Sequence, residues 1–173
     1  MKTKFILLIS VFVFLGSTFC VFAAVPTTGL VGFWKLDEGS GTTTANSIPG
    51  GGLGTLINSP VWVKGVLDEA YALRFNGTNH QVKIADANLS NMSTITLSLW
   101  VHPFDNNGTL ANSRIISKSD NSTSRFALSV GSDATSINFS AGFSGTAGSW
   151  KTPTNSLPLR IWHHVVVTYD YNT

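Results

Sequence analysis

The sequence predicts an all-β protein, an antiparallel β-sandwich, and three observations carry that prediction. Short runs rich in β-branched and aromatic residues recur along the chain, and the clearest of them, Thr94 to Val101, alternates strictly. Turn chemistry separates the runs: Gly39-Ser40-Gly41, the Gly/Pro-rich stretch Asn46 to Gly54, Asn76-Gly77 and His102-Pro103. After residue 24 no stretch has the 3.6-residue apolar period of an amphipathic helix, and no repeat of solenoid or propeller length is visible. Regularly spaced strands without helices indicate a sandwich.

The elements follow in order. Met1 to Lys4 carries two lysines, an apolar run extends from Phe5 to Leu15 and resumes at Phe19, and Val21-Phe22-Ala23 closes it with a small residue. A basic start, an apolar middle and a small-residue exit describe a secretory signal peptide over residues 1–23, with the mature domain at 24–173. A retained membrane anchor is the rival reading; the Gly16-Ser17-Thr18 interruption and the short span disfavour it. Expected strands are Leu30–Leu36, Val61–Val63, Tyr71–Phe75, Gln81–Ile84, Thr94–Val101, Arg114–Lys118, Phe126–Val130, Ile137–Phe143 and Trp162–Tyr169. In Thr94–Val101 the aliphatic residues Ile95, Leu97, Leu99 and Val101 share one face, and Thr94, Thr96, Ser98 and Trp100 share the other.

Cleavage after Ala23 removes Cys20, the only cysteine, so the secreted domain holds itself together without disulfides. Cleavage also removes Lys2 and Lys4, leaving nine basic against nine acidic residues. A formal charge of zero argues against nucleic acid or an anionic membrane as partner. Charged residues are 12% of the chain, about half the usual share, and Ser, Thr, Asn and Gly take their place. Such a surface suits ligands that offer hydroxyls.

Several segments together are similar to laminin-G-like domains of the concanavalin-A-like lectin/glucanase type in bacterial surface proteins. They are Leu30 to Thr42 (LVGFWKLDEGSGT), Gly54-Thr55-Leu56, Ala72 to Gly77 (ALRFNG), Ile95 to Val101 (ITLSLWV), Ile115 to Lys118 and Trp162 to Asp170 (WHHVVVTYD). The resemblance covers residues 29–173 and implies a concanavalin-A-like jelly roll. The family pattern continues past its last matching piece, so the resemblance also implies a fold incomplete at the C-terminus, short of roughly 30–50 residues. Family members bind glycans or proteins, and some accompany an enzyme domain in the same chain. A shared sandwich does not fix a ligand.

The candidates for chemistry are few. His163 and His164 are adjacent on a strand, point to opposite faces and cannot clamp one metal together. The mature chain has two glutamates, Glu38 and Glu69, and lacks the strand-borne Glu-x-Asp-x-Glu of sugar-cleaving enzymes on this fold. The expectation is therefore a domain without catalysis, and a fragment of a glycan-cleaving enzyme is the lesser alternative. Related domains often hold Ca²⁺ between rim loops, and Asp37 and Asn46 are the metal candidates that the resemblance implies, although Asn46 and Gly50 stand where the family more often has Asp and Asn. Turn capping through their own backbone is the competing role for these residues. For a ligand, Asp120 and Asn121 offer oxygens beside a turn, and Trp150, after Gly148-Ser149 and beside an expected loop, is the ring best placed to face solvent and stack on a pyranose. Trp34, Trp62, Trp100 and Trp162 lie within expected strands and are assigned to the core. Six Asn-x-Ser/Thr sequons occur, as chance produces in a chain of this composition. The sequence thus reads as a secreted carbohydrate-binding or adhesion module whose partner is an extracellular glycan or surface protein. A ligand-free structural spacer is the alternative.

Overall fold

A computed structural model describes residues 28–66, 70–85, 93–104, 110–118, 125–143 and 146–170. The proposed signal segment, Glu69, Asp120 and Asn121 lie outside the described residues. Among the described residues there are eleven strands and no helix: β1 (Thr43–Thr44), β2 (Gly54–Ile57), β3 (Val61–Lys64), β4 (Tyr71–Arg74), β5 (Gln81–Ile84), β6 (Thr94–Val101), β7 (Arg114–Lys118), β8 (Arg125–Val130), β9 (Ile137–Phe143), β10 (Thr146–Lys151) and β11 (His163–Asp170). Every strand pair is antiparallel.

The strands form four sheets, ordered β1-β2-β5, β3-β4, β10-β9-β8-β7 and β11-β6. The last two make the sandwich. Phe126, Leu128 and Val130 of β8 and Ile137, Phe139 and Ala141 of β9 alternate inward and form the buried centre with Leu157. Ile95, Leu97, Leu99 and Val101 of β6, with Val165, Val167 and Tyr169 of β11, pack against that centre from the facing layer. The period-two reading of β6 is thus the actual division between core and solvent face. Leu157 plugs one end of the sandwich from the connection between β10 and β11, and its N–H donates to the Thr135 carbonyl at 2.9 Å.

The expected strand Leu30–Leu36 is not a ladder strand. The segment makes one isolated bridge, Trp34 to Asn46, in which the Phe33 carbonyl accepts from Ser47 N at 2.8 Å and a side chain takes up the Phe33 N–H. Phe33 N donates to Asn46 Oδ1 at 3.0 Å, and Leu36 takes a left-handed conformation (φ 58°) that no extended strand continues through. Strands β1, β2 and β10 are absent from the sequence reading. Thr43–Thr44 is too short to alternate, β2 opens on glycine, and Thr146–Lys151 carries Gly148 and Ser149, which read as turn residues. Among the described residues no strand of β1–β5 pairs with a strand of β6–β11.

Candidate functional site

The inner face of the four-stranded sheet carries a cross-strand row that runs outward from its centre. Leu128 pairs with Phe139, and Phe139 pairs with Trp150. Exposure climbs along the row, from 0% at Leu128 and 5% at Phe139 to 51% at Trp150. Trp150 is half-exposed because β10 is the outer strand of its sheet, not because it sits in a loop. Its face is the core face, and its position is the rim.

Two features fix the indole there. Gly148, two residues earlier on the same face, has no side chain, and a Cβ at that position would overlap the Trp150 ring. The glycine that reads as a turn signal in sequence is therefore the space in which the ring lies. Phe139 stacks beneath the indole at 6.1 Å between centroids with planes 28° apart, and Tyr169 of the facing layer meets it at 5.3 Å and 55°. The three rings form one aromatic cluster across both layers.

A cleft of about 590 Å³ opens beside this cluster, lined by Ile137, Phe139, Trp150, Lys151, Thr152 and the β11 residues Val166 to Asp170. The β11 residues are consecutive, so the cleft looks onto the edge of that strand and not onto one of its faces. Lys151 is held at the rim by Asp133, with Nζ to Oδ2 at 2.7 Å. Asp133 Oδ1 accepts from Thr135 N at 2.9 Å and Ser136 Oγ at 2.7 Å. The Lys151 ammonium first, then these two donors, hold the Asp133 carboxyl far below its ordinary value of 3.8. The Lys151 charge is thereby committed within the protein. The aromatic side chains Phe139, Trp150 and Tyr169 line the cleft together with Thr152, Thr168 and Asp170; Thr152 Oγ1 accepts from Ile137 N at 2.9 Å, and Thr168 Oγ1 lies 3.5 Å from Thr96 Oγ1.

The other sequence candidates fall elsewhere. Asn46 Oδ1 accepts from Phe33 N at 3.0 Å and Ile48 N at 2.9 Å, which occupies both lone pairs. Its Nδ2 is buried without a hydrogen-bond partner and faces Gly51, where a Cβ would overlap it. Asp37 is exposed. A spent oxygen and a buried amide donor do not fit a calcium ion, so Asp37 and Asn46 as a pair do not make a metal site. Among the described residues no three His, Cys, Asp or Glu side chains converge. Glu38 Oε1 accepts from Ala45 N at 2.8 Å.

The remaining tryptophans divide. Trp34 Nε1 donates to the Gly52 carbonyl at 3.0 Å, Trp62 Nε1 donates to the Gly41 carbonyl at 3.2 Å, and Trp162 meets His102 edge-on at 5.2 Å. These three are half-buried structural rings. Trp100 is not in the core: it is 52% exposed. The alternation of β6 that sends Leu99 and Val101 inward sends Trp100 outward, and this outranks the general tendency of tryptophan to be covered. On that outer face Trp100 stacks on His164 at 5.0 Å, and Ser98 Oγ lies 2.9 Å from His164 Nε2. His163, on the other face of β11, has its Nε2 2.8 Å from the Pro158 carbonyl.

Two antiparallel layers packed face to face, with an aromatic cleft at their edge, define a β-sandwich domain. A family model described as the concanavalin A-like lectin/glucanases superfamily, of the laminin G type, matches residues 76–173, more than half of the chain, and the chain belongs to that family. Neither the curated proteins nor the solved structures offer a match to this chain.

Proposed function

We propose that this chain is an exported, non-catalytic carbohydrate-binding module, and that a neutral sugar stacks on Trp150 at the mouth of the β10–β11 cleft. The supporting observation is the half-exposed indole, backed by Phe139 and Tyr169, in a domain whose family is of the carbohydrate-binding or adhesion type. A rigid ring held from two sides loses little conformational entropy when a pyranose covers its free face. Thr152, Thr168 and Asp170 line the same cleft and are the polar residues this reading assigns to sugar hydroxyls. Asp120 and Asn121 are further oxygens that this reading assigns to ligand contact. Neutralisation of Lys151 by Asp133 favours uncharged over anionic glycans.

Glycoside hydrolysis needs two carboxyl groups about one scissile bond, and the cleft supplies only Asp170 among the described residues. A glycan array followed by calorimetry on each hit tests the reading: saturable binding that weakens in Trp150→Ala supports it. Release of reducing ends that Asp170→Asn abolishes would instead identify an enzyme.

A further inference from the structure

Lys151 is the cation among the residues lining the cleft, and it follows Trp150 directly in sequence. Its partner Asp133 belongs to the turn between β8 and β9 and is not part of that lining. The turn holds its carboxylate still. Gly131 N donates to the Ser136 carbonyl at 2.8 Å and Ala134 N to the Gly131 carbonyl at 3.0 Å, which closes the backbone. Within it, Asp133 Oδ1 accepts from Thr135 N and from the hydroxyl of Ser136, a fully buried residue. Thr135 ties the turn to the connection after β10, its Oγ1 accepting from Asn155 N at 3.2 Å. One carboxylate oxygen is thus occupied by the turn. The other, Oδ2, is buried and meets the Lys151 ammonium.

The lysine stem is led to the same place. A Cβ at Gly131 would lie 3.1 Å from Lys151 Cε, so the stem crosses a residue that has no side chain. A lysine ammonium on its flexible four-carbon stem otherwise ranges widely, and this stem starts one residue from the indole. Held by a fixed carboxylate, it offers an incoming anion no unpaired charge.

We propose that Asp133 is the residue that sets ligand class at the cleft: by pairing Lys151 it restricts the site to neutral glycans, and without its carboxylate the site accepts uronate-bearing glycans. Asp133 acts through Lys151 and is a positioning residue. The inference rests on the reading of the cleft as a glycan site and names what determines specificity there.

Asp133→Asn tests it, because an amide oxygen can still accept from Thr135 N and Ser136 Oγ while the charge is gone. Asp133→Ser reaches the same charge state with a turn-capping hydroxyl, should the amide fail to fold. Thermal melting checks the fold of each variant. The first readout needs no glycan: quenching of tryptophan fluorescence by iodide, with neutral acrylamide as reference. Asp133→Asn should raise the iodide-to-acrylamide ratio, and adding Trp150→Phe or Lys151→Gln should cancel the rise. The second readout is calorimetry on a neutral glycan hit and on the same glycan with its primary hydroxyls oxidised to carboxylates. The parent should prefer the neutral form. Asp133→Asn should bind the oxidised form about two- to fivefold more tightly than the parent does, with the gain lost at high salt. Asp170, the other charged residue of the lining, is common to all these proteins. An unchanged iodide ratio, or a gain that survives Lys151→Gln, overturns the role of Asp133. A parent that binds no glycan while the iodide ratio responds overturns the glycan reading instead, and with it the ligand class assigned here.

Discussion

Replacing Trp150 by alanine should cost stability and glycan affinity together, by amounts that the structure lets one separate. The indole is 51% exposed, so about half of a ~250 Å² aromatic surface is covered, and at ~25 cal/mol/Å² its ~120 Å² contributes about 3 kcal/mol. That figure is an upper estimate, because the unfolded chain already hides part of this surface. For a domain of this size it corresponds to a fall of about 6–12 °C in Tm. The exposed half of the ring is what a sugar would cover, and losing that stack costs ~0.5–1.5 kcal/mol, roughly a two- to twelvefold rise in Kd. Trp150→Phe separates the two effects: a smaller ring keeps contact with Phe139 and Tyr169, so most of the Tm should return while part of the affinity stays lost. The assays are thermal melting by circular dichroism and titration calorimetry with the best glycan-array hit. A Trp150→Ala protein that melted and bound like the parent would refute both the packing and the ligand argument.

Other outcomes follow from the same packing. Leu128, fully buried at the sheet centre, should lose about 2–5 kcal/mol on truncation to alanine, read as a lower urea midpoint at unchanged m-value. Asp133→Asn should destabilise the chain at neutral pH by removing the ion pair to Lys151. Because the folded Asp133 carboxyl titrates below its ordinary value of 3.8, its contribution is present above that value and fades as pH falls through and below it, so the two proteins' urea midpoints should converge in acid. Trp100→Ala should lower the melt about as much as Trp150→Ala, since its ring is covered to the same extent, while leaving glycan affinity unchanged. Exported protein should begin at Ala24 by N-terminal sequencing, and material beginning at Met1 would contradict the signal-peptide reading.

What the sequence made legible was governed by alternation. β6 and β11 are eight-residue strands with a dry face and a wet face, and their period of two is visible to the eye and correct in the structure. β8 and β9 are legible for the same reason, their inward sets being Phe, Leu, Val and Ile. Leu30–Leu36 has the composition of a strand, but its pairing is limited to one isolated bridge and one side chain. Asn46 supplies the acceptor that a neighbouring strand would have supplied, and no local pattern in residues 30–36 announces a residue more than ten positions away. The failure at β10 has the opposite cause. Its glycine and serine argue for a turn, yet an edge strand tolerates small residues, and Gly148 is required there by the indole above it.

The choice of Trp150 from sequence reached an exposed ring by a path that the structure does not support, and the difference has chemical content. A loop-borne ring could be removed with little consequence for the fold. A ring at the end of the row Leu128–Phe139–Trp150 cannot, because it is the last member of the core and the first member of the surface. That double membership suits recognition. A stacking platform must present one face to the ligand without shifting as the ligand arrives, and packing against Phe139 and Tyr169 supplies the rigidity that a loop would lack. The same logic separates Trp150 from Trp100, the other half-exposed tryptophan of the sandwich. Trp100 lies on the outer face against an exposed imidazole, with no second ring packed on it among the described residues, whereas Trp150 has Tyr169 of the opposite layer within 5.3 Å and a cleft in front. Exposure alone does not distinguish the two rings, at 52% and 51%. Enclosure does, and enclosure depends on β10 and β11 meeting across the sandwich, a contact between segments that no reading of either one could place.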